Sequence, residues 1–216
     1  FTKPRFFMGR FFDRLSRLDP DFVFVTGDLI DDRRGILPCV ENLKKLKPKR
    51  GVYVVLGNHD YRRYPFMQQI KRLLTKAHFG IERPEGETEE LKQALVGAGF
   101  KLLINQNTTA ALAENQHAVI VGIDDPFTGR ADSNRAFQGI QKAALHIVLV
   151  HSPIIFPSLG RQRVDIAFSG HTHGGQVRLP GIGALPAASR LEPIIDSTDR
   201  YGFVGLVSRG MGASPP

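Results

Sequence analysis

The 216-residue sequence holds one cysteine and no tryptophan. A single thiol, Cys39, excludes an internal disulfide and a thiolate metal centre, and it fits a reducing compartment. Cys39 lies in a helical pattern, where it reads as a small buried hydrophobe. No apolar run approaches the roughly 18 residues of a spanning helix. With four tyrosines and no tryptophan, the chain lacks the aromatic array, interleaved with basic residues, on which single-strand binders stack bases, so no nucleic-acid partner is expected. No repeats or low-complexity tracts are present. No signal peptide is visible, and the first residue is Phe1 rather than Met, so an earlier segment is expected.

What is present is a globular composition, 42% hydrophobic and 23% charged, with a formal net charge of +8. The length suits one substantial α/β domain, residues 1–216. The positive balance favours anionic partners such as phosphorylated substrates or an acidic lipid surface. Five apolar runs rich in β-branched or aromatic residues read as buried strands: 22–26, 51–56, 118–121, 147–150 and 164–168. Residues 203–207 are a sixth candidate. Phe7, Met8, Phe11, Phe12, Leu15 and Leu18 follow a helical stripe, and 36–46 and 133–144 are plausible helices. Thr88 is a candidate cap for a helix ending near Gly97 and Gly99.

Strands alternating with helices imply α/β layering, in which functional loops sit at the carboxyl ends of strands. Four polar motifs occupy such ends. Gly27-Asp28 follows the first run, and Gly57-Asn58-His59-Asp60 follows the second. His151 ends the 147–150 run, and Gly170-His171-Thr172-His173 follows the last. An aspartate after glycine often only makes a turn, and a lone histidine at a strand end is usually structural. His171 and His173 are more specific: in extended chain, residues i and i+2 share a face, and imidazole is the commonest transition-metal ligand. The asparagine offers a neutral oxygen ligand. His59 is titratable near neutral pH, and Asp60 is a candidate to orient it. His78, His117 and His146 occupy no such position and read as non-catalytic.

Jointly these motifs resemble the calcineurin-like metallophosphoesterase family, from about Asp13 to Met211. The resemblance implies a four-layer α-β-β-α sandwich of two mixed β-sheets with two divalent metals between them. It implies that Asp28 bridges both ions. Asn58, His151 and His171 would complete one ion's ligands, and His173 would bind the other. His59 would contact phosphate and help protonate the leaving group. Two cations roughly 3.5–4 Å apart clamp a phosphoryl group and lower the pKa of a bound water. Carboxylate, amide and imidazole ligands suit Mn²⁺, the preferred ion here, with Fe, Zn or Mg²⁺ as alternatives.

One departure stands out. The family opens with Asp-x-His on its first strand, and no Asp-x-His occurs here. Every later ligand is intact, so the expectation is a missing N-terminal strand rather than a decayed enzyme. The segment from Gly170 to Gly181 is similar to a small membrane-associated bacterial branch that includes UDP-2,3-diacylglucosamine diphosphatases of lipid A synthesis. About 27 residues, 62–88, separate the Asn58 motif from the Thr88 helix, a length typical of lids. Within them Phe66, Met67, Ile70, Leu73, Leu74 and Ala77 form an apolar stripe among Arg62, Arg63, Lys71, Arg72 and Lys76. Such a segment suits an anionic membrane surface or acyl chains. The reading is therefore hydrolysis of a lipid-linked nucleotide sugar, with Arg62 and Arg63 as substrate-phosphate contacts. The expected location is the cytoplasmic face of the bacterial inner membrane. Competing readings are a nuclease or other phosphodiesterase of the same family, and a metal-depleted scaffold.

Overall fold

The computed structural model describes residues 5–64, 81–173, 178–179, 183–184, 197–199 and 201–211. The stripe of the insert, residues 66–77, lies outside them.

The chain opens with helix α1 (Arg5–Leu15), then strand β1 (Val23–Val25), helix α2 (Ile36–Leu43) and strand β2 (Val52–Val54). The one-turn helix α3 (Asn58–Tyr61) leads into β3 (Arg62–Arg63), which pairs antiparallel with β4 (Ile81–Glu82). Helix α4 (Glu85–Gly97) precedes β5 (Lys101–Leu102). Strands β1, β2 and β5 form a three-stranded parallel sheet.

The second half contributes β6 (Gln106–Ala113), β7 (Gln116–Gly122), α5 (Ser133–Ala136), β8 (Leu145–Leu149), α6 (Phe156–Leu159) and β9 (Ile166–Ser169). Later pieces are β10 (Arg178–Leu179), β11 (Gly183–Ala184), β12 (Ser197–Thr198) and β13 (Val204–Val207). These build a mixed six-stranded sheet ordered β12-β13-β9-β8-β7-β6, with β10 and β11 as a separate ribbon.

Three cores separate four layers. Leu29, Cys39, Leu43, Val54, Leu91 and Leu95 pack α1, α2 and α4 onto the small sheet. Tyr53, Val55, Ala118, Ile120, Ile147 and Leu149 fill the space between the sheets, where the Phe24 and Phe168 rings lie 5.1 Å apart. Val121, Val148, Phe156, Leu159 and Phe203 pack the outer face of the large sheet. The alternation explains this arrangement: β2 sends Val52 and Val54 to one core and Tyr53 to the other. Buried Cys39 is part of the first core, and its thiol pKa is pushed up to about 12 by burial.

Four helix boundaries differ from the sequence reading: α2, expected over 36–46, ends at Leu43, and three others depart further. Leu18 is 62% exposed and lies beyond the end of α1. The 133–144 pattern yields only four helical residues, and Gly139 turns with φ +70 soon after, a conformation that glycine ends helices with. Helix α4 begins at Glu85, so Thr88 lies inside it rather than capping it. Its buried hydroxyl donates instead to Asp60 O at 3.0 Å.

Candidate metal and phosphoryl site

All four motifs fall at the carboxyl ends of β1, β2, β8 and β9, so the loops of both stacked sheets gather at one end of the sandwich. Glycine makes the meeting possible. A Cβ on Gly27 would lie 2.5 Å from Gly57 N, and one on Gly57 would strike Asp28 Oδ1 and sit 2.7 Å from His151 Cε1. Asp28, His171 and His173 all adopt positive φ, at 56°, 63° and 53°. Side-chain-bearing residues rarely hold this conformation, which clusters at functional sites where surrounding structure enforces it.

The donor atoms converge on His151 Nε2. Asp28 Oδ2 and Asn58 Oδ1 each lie 3.2 Å from it, and His171 Nδ1 lies 3.1 Å away. Asp28, His151 and His171 form a group able to hold a metal ion. Each donor is aimed by a second contact. His151 Nδ1 faces Thr26 O at 2.5 Å, so that nitrogen carries the proton and leaves Nε2 directed at the cluster. Tyr64 Oη accepts from Asn58 Nδ2 at 2.9 Å, which turns Oδ1 inward. The Phe127 ring lies 4.9 Å from that of His171.

These residues fit a divalent cation. Metal–ligand bonds of about 2.0–2.2 Å separate neighbouring donors by about 3 Å. Two imidazole nitrogens facing each other at 3.1 Å repel as lone pairs unless a proton or cation lies between them. Without an ion, charge sharing takes that role. Burial alone would lower His151, but the Asp28 carboxylate outweighs it and holds the pKa at about 9. His171, buried and beside the His151 cation, falls to about 3. Burial would raise Asp28, yet the neighbouring histidines, His151 foremost, hold it far below the usual carboxylate range. His173 stands apart from the cluster, its Nδ1 facing Arg209 O at 3.2 Å.

His59 occupies the rim of this cluster, and its backbone N–H donates to Asp28 Oδ1 at 2.9 Å. The partner of its ring is not Asp60. Asp60 Oδ1 accepts from Leu29 N (2.8 Å) and Ile30 N (3.2 Å), and Oδ2 accepts from Gly57 N (2.9 Å). Both oxygens therefore bind the two ligand loops together rather than orienting the imidazole. Asp31 takes that place, with Oδ1 3.6 Å from His59 Nδ1, and the Tyr64 ring lies 4.6 Å from the imidazole. Burial would lower the His59 pKa, but Asp28 and Asp31 outweigh it and raise it above its ordinary value.

Arg62 and Arg63 are both engaged by carboxylates. Arg62 Nε meets Glu82 Oε1 at 2.6 Å, and Arg63 pairs with Glu87. A substrate phosphate would have to displace these partners, Glu82 being half-exposed and Glu87 largely buried.

Several residues at the site escaped sequence reasoning. Asp124 and Asp125 follow β7, so the strand-end rule would have found them. Asp124 accepts from Tyr61 Oη at 2.7 Å. Asp125 is fully buried and accepts from Thr128 N at 2.7 Å. Asp31 and Arg83 carried no such signal, since their partners are distant in sequence.

Residues 6–175 match the calcineurin-like phosphoesterase family model. The chain is 33% identical over 166 residues to the uncharacterized metallophosphoesterase YkoQ of Bacillus subtilis, covering 74% of this chain and 52% of that one. It is 29% identical over 211 residues to the UDP-2,3-diacylglucosamine pyrophosphatase LpxG of Chlamydia muridarum, covering 83% and 61%. A transmembrane protein with a metallophosphoesterase domain from Danio rerio is 29% identical over 181 residues, covering 79% and 37%. The chain thus spans between about a third and three fifths of the length of these relatives. No helix among the described residues is long and apolar enough to cross a membrane. With four motifs at one end of two packed sheets, convergent donors and a family match over most of its length, the chain belongs to the calcineurin-like phosphoesterase family.

Proposed function

We propose that this protein is a metal-dependent hydrolase of a phosphodiester or pyrophosphate bond, with UDP-2,3-diacylglucosamine as substrate and UMP and 2,3-diacylglucosamine 1-phosphate as products. The observation that carries the reading is the convergence of Asp28, Asn58 and His171 within 3.1–3.2 Å of His151 Nε2, beside His59. Those four residues would hold one divalent ion, with Mn²⁺ preferred, and Asp28 with His173 would contribute to a second. Bound cations of this kind neutralise phosphoryl charge and lower the pKa of a water nucleophile.

The chain's own residues supply the rest. Water adds to phosphorus and releases a proton to solvent as the bond to the leaving oxygen breaks. His59 gives its ring proton to that oxygen, becomes neutral, and recovers a proton from solvent. Asp31 favours the protonated imidazole, which suits it to donate. Asp60 fixes the loops carrying Asp28 and Asn58 through three backbone N–H bonds.

The substrate rests on two supports. One is the similarity to the chlamydial pyrophosphatase. The other is the basic, apolar-striped insert 62–88, which we propose acts as a lid at the anionic cytoplasmic surface of the bacterial inner membrane. Arg62 and Arg63 at its root are the proposed phosphate contacts. The test is Mn²⁺-dependent turnover of UDP-diacylglucosamine by the full-length protein. Release of UMP supports the assignment. Turnover of a soluble bis-aryl phosphodiester with the lipid nucleotide left intact contradicts the substrate while sparing the phosphoesterase reading.

A further inference from the structure

We infer that Arg83 is a positioning residue for the proton donor, holding His59 and its partner Asp31 in one geometry. This inference rests on the reading of His59 given above. Arg83 is the first residue after β4, and its side chain is entirely excluded from solvent. Burying a guanidinium is costly unless its donors are met. Arg83 meets them with four hydrogen bonds. Nε donates to His59 O at 2.8 Å, and Nη2 donates to Asp31 O at 2.7 Å and Ile30 O at 3.1 Å. Nη1 donates to Glu87 Oε2 at 3.1 Å, which compensates the charge.

The main-chain carbonyls of both members of the His59–Asp31 pair are therefore bound by one rigid planar group. Guanidinium donors are fixed relative to each other, whereas an ammonium supplies rotatable donors from a single point. The fork consequently sets how the loop after β1 sits against α3, and with it the 3.6 Å approach of Asp31 Oδ1 to His59 Nδ1. Arg83 touches none of the donor atoms around His151; it acts through His59. Its own N–H donates to Tyr61 O at 2.8 Å, so the returning end of the β3–β4 ribbon is tied to the helix that bears His59. Whatever moves that ribbon also bears on the proton donor.

The test uses the Mn²⁺-loaded protein and a series of aryl phosphodiesters running from nitrophenyl through phenyl to methoxyphenyl leaving groups. A poorer leaving group depends more on protonation. Arg83→Lys is expected to melt as a folded protein and keep its Mn²⁺. It should lose about threefold in kcat on the nitrophenyl ester and about 30-fold on the methoxyphenyl ester, with KM little changed. In a His59→Ala background, Arg83→Lys is expected to cost nothing further, because the two act as a unit. A uniform loss across the series, lost metal, undiminished activity, or losses that add to those of His59→Ala would overturn the inference. If Arg83→Lys does not fold, Glu87→Gln weakens the Nη1 arm of the fork and also loosens Arg63, so the leaving-group trend, compared with that of Arg63→Ala, is the readout. Glu87→Gln should then show a smaller loss with the same leaving-group trend, and a uniform or absent loss overturns the inference. A flat leaving-group profile for His59→Ala itself would instead sink the proton-donor role, which separates the two failures.

Discussion

The two sheets bring different chemistry to the end of the sandwich where their strands terminate. The small sheet brings the Asp28 carboxylate, the Asn58 amide and the His59 imidazole, proposed here as oxygen ligands and proton donor, and its first strand is only half-buried. The large sheet delivers imidazoles, His151 following a strand that is almost fully buried. The donor cluster draws on both, Asp28 and Asn58 from one sheet and His151 and His171 from the other. The bond between His151 Nδ1 and Thr26 O crosses from one sheet to the other, and the space at Gly27 and Gly57 sets how closely the loops approach. The geometry of the cluster is thus a property of how the sheets pack.

Removing a donor that both sheets share should have the largest effect. Asp28→Ala deletes the carboxylate facing both His151 and His59, and turnover should drop by about 10³-fold or more with metal content near zero by elemental analysis. Activity within tenfold of wild type would show that the cluster is not the reaction centre. Gly57→Ala probes the seam itself. The added methyl collides with Asp28 and His151, so Mn²⁺ affinity should fall by about 10–100-fold in a titration, as when supporting contacts of a metal site are lost. Unchanged affinity would mean that the loops can part without harm.

His59→Ala tests the rim of the small sheet. Turnover should fall by about 10²-fold. Phe24→Ala removes the ring packed on Phe168 between the sheets. It should lower unfolding free energy by about 3 kcal/mol in urea melts, and an equal effect on metal affinity would sharpen the link between packing and site.

The smallest expected effect is on pH. His151 has a folded-state pKa of about 9, raised above its ordinary value of 6.5. Its contribution to the stability of the metal-free protein is therefore complete below about pH 6.5 and lost as pH climbs through 9. Thermal melts of His151→Gln should lack this decline, and identical pH profiles for the two proteins would discount the Asp28–His151 pair.

Much of this architecture was legible in the sequence, because periodicity and strand-end position are local signals. The runs before Asp28, Asn58, His151 and His171 all fold as strands, and those four side chains converge. Strand β6 was not legible: Gln106–Ala113 is largely exposed or half-buried, and its one apolar stretch, Ala110–Ala113, is three alanines and a leucine with no β-branched or aromatic residue. The true partners of the site residues were equally hidden. Asp60 neighbours His59 in the chain but spans to Leu29 and Ile30, while Asp31 and Arg83 reach His59 across 28 and 24 residues. Sequence proximity suggested one carboxylate for the imidazole, and hydrogen-bond satisfaction in three dimensions selected another. Positive φ at Asp28, His171 and His173 was likewise invisible, since nothing in those residue types demands it.

The most direct measurement is a calorimetric Mn²⁺ titration of the wild-type protein alongside Asn58→Ala and His59→Ala. The account predicts tight binding by wild type, clearly weakened binding by Asn58→Ala, and wild-type binding by His59→Ala. Equal loss in the two variants, or no binding by wild type, would contradict it.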